Sequence, residues 1–335
     1  MIFAIKLPAI PDVQTLLIPL LSSSAPGVGR TSMKEKTFIT SLGSSFARDA
    51  STKPGRRPFS SMTKTINLTS ENYYGSEANR DYFSVSQYKD FLKCPAMAMA
   101  KLRGEYEPDF GRALLLGSYV DEMLTGTEES IKQFIVEHMP DLFKKNGDRY
   151  ADVQQADETI LRIQKQPLMM HYLSGQHQVI MTGEIEGVPF KIKMDSFDPK
   201  EYIADLKYMA SLRSPNLFQP MIQYWSYDTQ AAVYQEIVRQ NIGYQLPFLF
   251  VVATKEKPAH LAVGEISQWN MDQSLAALKK NIVRFQKIKK GAIEPERCED
   301  YGCDYCTSTK IITEPIDTDL FGMSAAQLKG MTGVI

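Results

Sequence analysis

The sequence predicts an α/β fold with a mixed central sheet, partly antiparallel, flanked by helices. Three observations carry this. Helical periodicity fills the stretch from about Ser84 to Leu173. Period-two strand patterns replace it from His177 to Met209, and after that helix and strand patterns alternate. The 335 residues suffice for one large domain or two modest ones, and 43% apolar content can supply a sizeable core.

Residues 1–61 differ from the rest. They are rich in Ser, Gly, Pro and basic residues with little periodicity, a composition that cannot offset its own ordering entropy, so a disordered leader is predicted. Met62 reads like a start of its own, so the stretch before it is either an upstream extension ahead of the true start or a basic leader. The apolar opening faintly resembles a signal peptide, but Pro8, Pro11, Asp12 and Pro19 interrupt it, which argues against secretion. The folded domain is placed at 62–315 and a C-terminal tail at 316–335.

Within the domain, Ser84 or Ser86 caps a helix QYKDFLKC that Pro95 ends or kinks. ALLLGSYVDEMLTG, TEESIKQFIVEHMPDLFK and ADVQQADETILRIQKQPLMMHYL read as further helices. HQVIMTGEIEG, VPFKIKMDSFD and EYIADLKYM read as three strands, joined by turns at Glu186-Gly187 and Asp198-Pro199. A helix YDTQAAVYQEIVRQN, a buried strand LPFLFVVAT and a strand HLAVGEIS follow. Then comes an amphipathic helix with Leu275, Leu278, Ile282 and Phe285 on one face, stopped at Gly291.

Composition excludes some functions. A net charge of −1 gives no global positive field, so any nucleic-acid surface must be local. No run of eighteen apolar residues exists to span a membrane, which predicts a cytoplasmic protein without a membrane partner.

Chemistry concentrates in MDSFDPKEYIADLKYM, residues 194–209. Asp205 and Lys207 are two apart on one strand, so both side chains leave the same face about 6–7 Å apart. Asp195 ends the preceding strand, and a meander brings it to about one strand spacing, ~4.8 Å, from Asp205. Two carboxylates that close stay ionised best around a cation, and hard oxygen ligands suit Mg²⁺ or Mn²⁺. A lysine beside them can orient or deprotonate a water, or screen a phosphoryl charge. Asp-x-Lys alone is more often a salt-bridged pair on an edge strand. Three companions in order strengthen it. Asp121 on a helix could add a carboxylate. Gln230 and Tyr234, four apart on one helix face, could hold a phosphate or strand. The basic run KKNIVRFQKIKK could track a nucleic-acid backbone, although such runs are more often solvated faces.

The four cysteines, Cys94, Cys298, Cys303 and Cys306, lie in a one-plus-three layout that favours a metal over disulfides. Four thiolates suit an iron–sulfur cluster or Zn²⁺; bare reduced cysteines remain the third reading.

Together, DYFSVSQYKDFLKCPAMAMAKLRGE, GSYVDEML, GEIEGVPFKIKMDSFDPKEYIADLKYM, YDTQAAVYQEIV and CDYCTSTK resemble the phage and prophage exonucleases related to exodeoxyribonuclease VIII. These belong to the RecB-like branch of the PD-(D/E)XK nuclease superfamily. The resemblance covers about residues 62–312 and implies a RecB-like exonuclease domain with a restriction-endonuclease-like core. It implies Asp195 and Asp205 as metal-binding acids, Lys207 as the catalytic lysine, and Gln230 and Tyr234 as DNA contacts. Asp121 stands where many relatives carry a histidine ligand, and Met194 stands where the superfamily name has proline. The resemblance further implies Mg²⁺-dependent digestion of linear double-stranded DNA to single strands for recombination or repair. It also implies a single-strand annealing recombinase as partner and a homo-oligomer, and a 4Fe–4S cluster on the cysteines in preference to Zn²⁺. A catalytically inactive DNA-binding or assembly module, or an endonuclease, are the alternatives on the same scaffold.

Overall fold

The computed structural model describes residues 67–108, 111–214, 220–298, 303–313, 315 and 322–323. The leader expected at 1–61 lies outside the described residues, and so does the tail at 316–335 except for 322–323. All the elements below belong to the unit Leu68–Ile335.

Five strands form one mixed sheet in sequence order: β1 (Gln176–Ile185), β2 (Val188–Asp198), β3 (Tyr202–Met209), β4 (Phe248–Thr254) and β5 (Leu261–Glu265). β1 and β2 form a hairpin whose loop residues, Glu186 (φ 53°) and Gly187 (φ 71°), both take the left-handed conformation that matches strand twist. The β2–β3 turn is closed by the Asp198 carboxylate, which accepts from the Lys200 N–H at 2.7 Å. β3 and β4 run parallel, so the chain must cross over between them, and it does so through a helix. β4 is buried along its whole length between β3 and β5, which explains its unbroken apolar run FLFVVAT.

Twelve helices are described around this sheet. The first three are α1 (Ser76–Asp81), α2 (Val85–Lys93) and α3 (Pro95–Arg103). Ser84, not Ser86, caps α2, its hydroxyl accepting from the Gln87 N–H. Pro95 ends α2, as expected, and also opens α3 at the first position, where its missing N–H costs nothing. α4 (Gly111–Thr125) carries Asp121. Two segments read as single helices are each broken by a proline. Pro140 separates α5 (Glu128–Glu137) from α6 (Met139–Leu142), and Pro167 separates α7 (Ala151–Gln164) from α8 (Pro167–Tyr172). α9 (Met221–Tyr224) precedes the crossover helix α10 (Tyr227–Ile242). The long α11 (Gln268–Lys289) and short α12 (Asp304–Ser308) complete the set.

The main core lies between the sheet and α2, α10 and α11. Phe91 stacks against Phe83 at 5.5 Å and Phe285 at 5.4 Å, joining α2 to α11. Leu278, Ile282 and Phe285 are buried on α11, as the spacing predicted. The basic run on that helix is partly structural. Arg284 pairs with Glu296 at 2.5 Å, and Lys289 turns inward to donate to the Tyr82 carbonyl at 2.7 Å.

Candidate functional site

Asp195 does not end its strand; three more residues of β2 follow it. The antiparallel register pairs Ser196 with Ala204 and ends there; continued by one rung it brings Asp195 toward Asp205, whose charge acts on it. Opposed residues of an antiparallel pair project to one face, and Lys207, two further on, shares it. At that rung the Asp195 carboxylate accepts the Leu206 N–H at 3.0 Å. A carboxylate thus takes a hydrogen bond that a strand carbonyl would otherwise receive.

Asp205 is 3% exposed. One of its oxygens accepts from Gln230 Nε2 at 2.5 Å, and the other is ion-paired with the Lys207 ammonium. Asp121 comes from α4; its carboxylate accepts from Thr125 Oγ1 and from Gln178 Nε2, each at 3.3 Å. The expected residues therefore meet: Asp121, Asp195, Asp205, Lys207 and Gln230. Tyr234 lies one helical turn beyond Gln230 and donates to the Lys193 carbonyl at 3.0 Å.

Two residues absent from the expected set join them. Gln178, held at φ 54° in β1, reaches Asp121. Lys89 of α2 places its ammonium 5.3 Å from the centre of the Tyr227 ring, the same distance as Lys207 from that ring. Neither had a spacing signal, since each is brought in from a different element.

The electrostatics are those of a crowded acid set. Burial, then repulsion from Asp205 and Asp121, holds the Asp195 carboxyl well above the usual range. Burial and the Asp205 charge raise Asp121 in the same way. Burial pulls the Lys207 ammonium down, but Asp205 and Asp195 outweigh it and leave its pKa raised. One ammonium does not neutralise three carboxylates, and hard oxygens clustered with surplus negative charge are the donor set of a divalent cation such as Mg²⁺.

A second cluster forms from all four cysteines, whose sulfurs lie within 4.8 Å of one another. Cys94 and Cys306 Sγ are 3.5 Å apart, and Cys298 and Cys303 Sγ 3.2 Å. The Met97 and Cys306 N–H groups donate to Cys94 and Cys303 sulfur. Burial, together with hydrogen bonds to neighbouring thiols, pushes the Cys298 and Cys306 thiols up. Four thiols so crowded cannot all ionise unless a cation shares them, so the residues fit a thiolate-bound metal.

No helix among the described residues is long and apolar enough to cross a membrane. No curated protein matches the chain. A solved crystal structure from Eubacterium rectale, described in print as a "Putative exonuclease", is similar to it at 41% identity and a TM-score of 0.71, over 77% of this chain and 100% of that one. A PDDEXK-like domain of unknown function, DUF3799, matches residues 84–309. The likeness to both supports a nuclease. With its five-stranded mixed sheet and flanking helices, the chain belongs to the DUF3799 family of PDDEXK-like domains.

Proposed function

We propose that this protein is a divalent-metal-dependent deoxyribonuclease acting as an exonuclease on linear double-stranded DNA. The observation that carries the reading is the convergence of Asp195, Asp205 and Lys207 on one face of β2 and β3, with Asp121 facing them. Asp121, Asp195 and Asp205 would hold Mg²⁺ or Mn²⁺, which when bound supplies a Lewis acid and a more acidic water. Lys207, kept as an ammonium by Asp205 and Asp195, would orient an attacking water by donating to its lone pairs and screen charge developing on the phosphoryl oxygens. Gln230 donates to Asp205 and fixes which carboxylate oxygen faces inward. Tyr234 holds the β2 backbone at Lys193 and borders the path of the DNA.

The intact acid–lysine set counts against an inactive module. The recombination setting, an annealing partner and a homo-oligomer rest on the family resemblance. The test is a time course on end-labelled linear duplex, with and without Mg²⁺, beside a closed circular duplex. Mg²⁺-dependent loss of label from the linear substrate alone is expected. Cutting of the closed circle would make the enzyme an endonuclease, and no cutting of either would remove the nuclease assignment.

For the cysteines we infer one tetrahedral ion such as Zn²⁺ rather than a 4Fe–4S cluster. A single ion with metal–sulfur bonds of about 2.3 Å sets its sulfurs about 3.8 Å apart. A cubane interposes its own iron and sulfide atoms and drives the thiolates further apart than the span here.

A further inference from the structure

Beside the acid set opens a cavity of about 980 Å³. Gln230 lines it, and the Gln230 amide is 2.5 Å from Asp205, so the cavity adjoins the acid set through that residue. Its walls come from α1 to α4, β2 and α10. Lys89, Lys193 and Arg103 line it, and none has a carboxylate within ion-pair distance among the described residues. The Lys89 ammonium donates to the Trp225 carbonyl at 2.8 Å. Asp205 and Asp228 act on Lys89, and Asp121 on Lys193, only beyond ion-pair distance, and three cations free of direct ion pairs on a concave surface suit a polyanion.

One wall carries an aromatic ring that the fold leaves uncovered. Tyr74 is 68% exposed although it lines the cavity. It is not loose. The buried Tyr73 ring meets it edge-on with centroids 5.0 Å apart, Asn79 Nδ2 donates to its carbonyl at 2.9 Å, and Lys193 Nζ sits 4.7 Å from its ring centre. A fixed, exposed ring beside a cation is the pairing that takes a nucleobase on the ring and its phosphate on the ammonium. A base stacked inside a duplex offers no free face to such a ring; an unpaired base does.

We propose that this cavity is a berth for a single, unpaired DNA strand on its way to the acid set, with Tyr74 as a base-stacking platform and Lys89, Lys193 and Arg103 as phosphate contacts. The choice of DNA rests on the deoxyribonuclease reading; the berth itself rests on the cavity. Duplex must then open before it is cut, and Tyr74 holds the opened strand. As a positioning residue it acts on the strand and not on the phosphate that reacts.

The test uses the full chain in chelator-free buffer without added Mg²⁺ or Mn²⁺, so that nothing is cut and the cysteine site is left intact. Fluorescein-labelled single-stranded deoxyoligonucleotide, the matching blunt duplex and the matching RNA are titrated by anisotropy. A single strand containing 2-aminopurine reports stacking by fluorescence quenching. The single strand should bind more tightly than the duplex. Tyr74→Ala should weaken it ~10-fold and abolish the quenching, while Tyr74→Phe retains both. Lys193→Ala and Arg103→Ala should each lower the salt dependence by about 0.7 in the log–log slope. Thermal melts confirm that each variant is folded. Unchanged single-strand affinity and quenching in a folded Tyr74→Ala, or tighter binding of duplex than of single strand, would overturn the berth. Tighter binding of RNA would overturn the choice of DNA. Cleavage with Mg²⁺ is scored separately. An inactive wild type whose strand binding depends on Tyr74 would sink the nuclease reading and keep the berth, and an active one without that dependence would do the reverse.

Discussion

Asp205 shows how much one side chain carries. It sits at 3% exposure with Gln230 on one oxygen and Lys207 on the other, near a second carboxylate, that of Asp195. Replacing Asp205 or Lys207 by Ala should lower the rate of Mg²⁺-dependent hydrolysis of linear duplex by at least ~10²–10³-fold, with the circular dichroism spectrum unchanged. Retained activity in both variants would remove them from the site. A different residue governs a pH effect away from the site. Burial, and then the neighbouring Lys191, pulls the Lys289 ammonium down to about 7. The native state therefore binds fewer protons than the unfolded chain, in which lysine titrates near ~10.4. Stability from this group accordingly rises as pH increases from about 7 toward the unfolded value. Lys289→Met should flatten that rise in denaturant midpoints measured from pH 7 to 10, and an unchanged slope would count against the buried charge.

Among the elements, the strand trio was legible because alternation and two turn signals agreed. Period two alone put Asp205 and Lys207 on one face. The breaks at Pro140 and Pro167 were also present in the sequence, but flanking helical periodicity masked them. A close approach appeared only in three dimensions. A Cβ on Gly175 would come within 2.8 Å of the Phe197 backbone, just where Gly175 N–H donates to Ser196 Oγ at 3.1 Å. Backbone cannot yield as a side-chain tip can. Gly175→Ala should therefore cost about 1–3 kcal/mol, read as a lower urea midpoint. It should disturb the β1–β2 end near Asp195, and no change in midpoint would mean the strands can part there freely.

Over the whole molecule, the cysteine cluster ties Cys94, between α2 and α3, to the segment around α12, more than two hundred residues away in the chain. The Ala96 N–H donation to the Glu296 carbonyl at 3.0 Å and the Arg297 donation to the Cys306 carbonyl at 2.9 Å reinforce the join. A metal here would be structural, its binding energy adding directly to folding. Purified protein should contain about one zinc per chain by elemental analysis. Cys303→Ser or a strong chelator should lower Tm by roughly 10 °C. Two or more irons per chain would restore the cluster, and absence of both metals would leave a bare thiol group.

By itself the sequence determined the order of helices and strands, the hairpin turn and the facing of Asp205 with Lys207. Each of these depends on local dihedral preference or on a period of a few residues. It also placed Asp195 near them, since a short turn leaves a meander little choice of partner. Only the tertiary structure decided that Gln178 and Lys89 join Asp121 around the same acids, that Lys289 points inward, and that Tyr74 remains uncovered beside a cationic cavity. Those placements depend on how separate elements pack against one another, and no periodicity along the chain records which surfaces will meet.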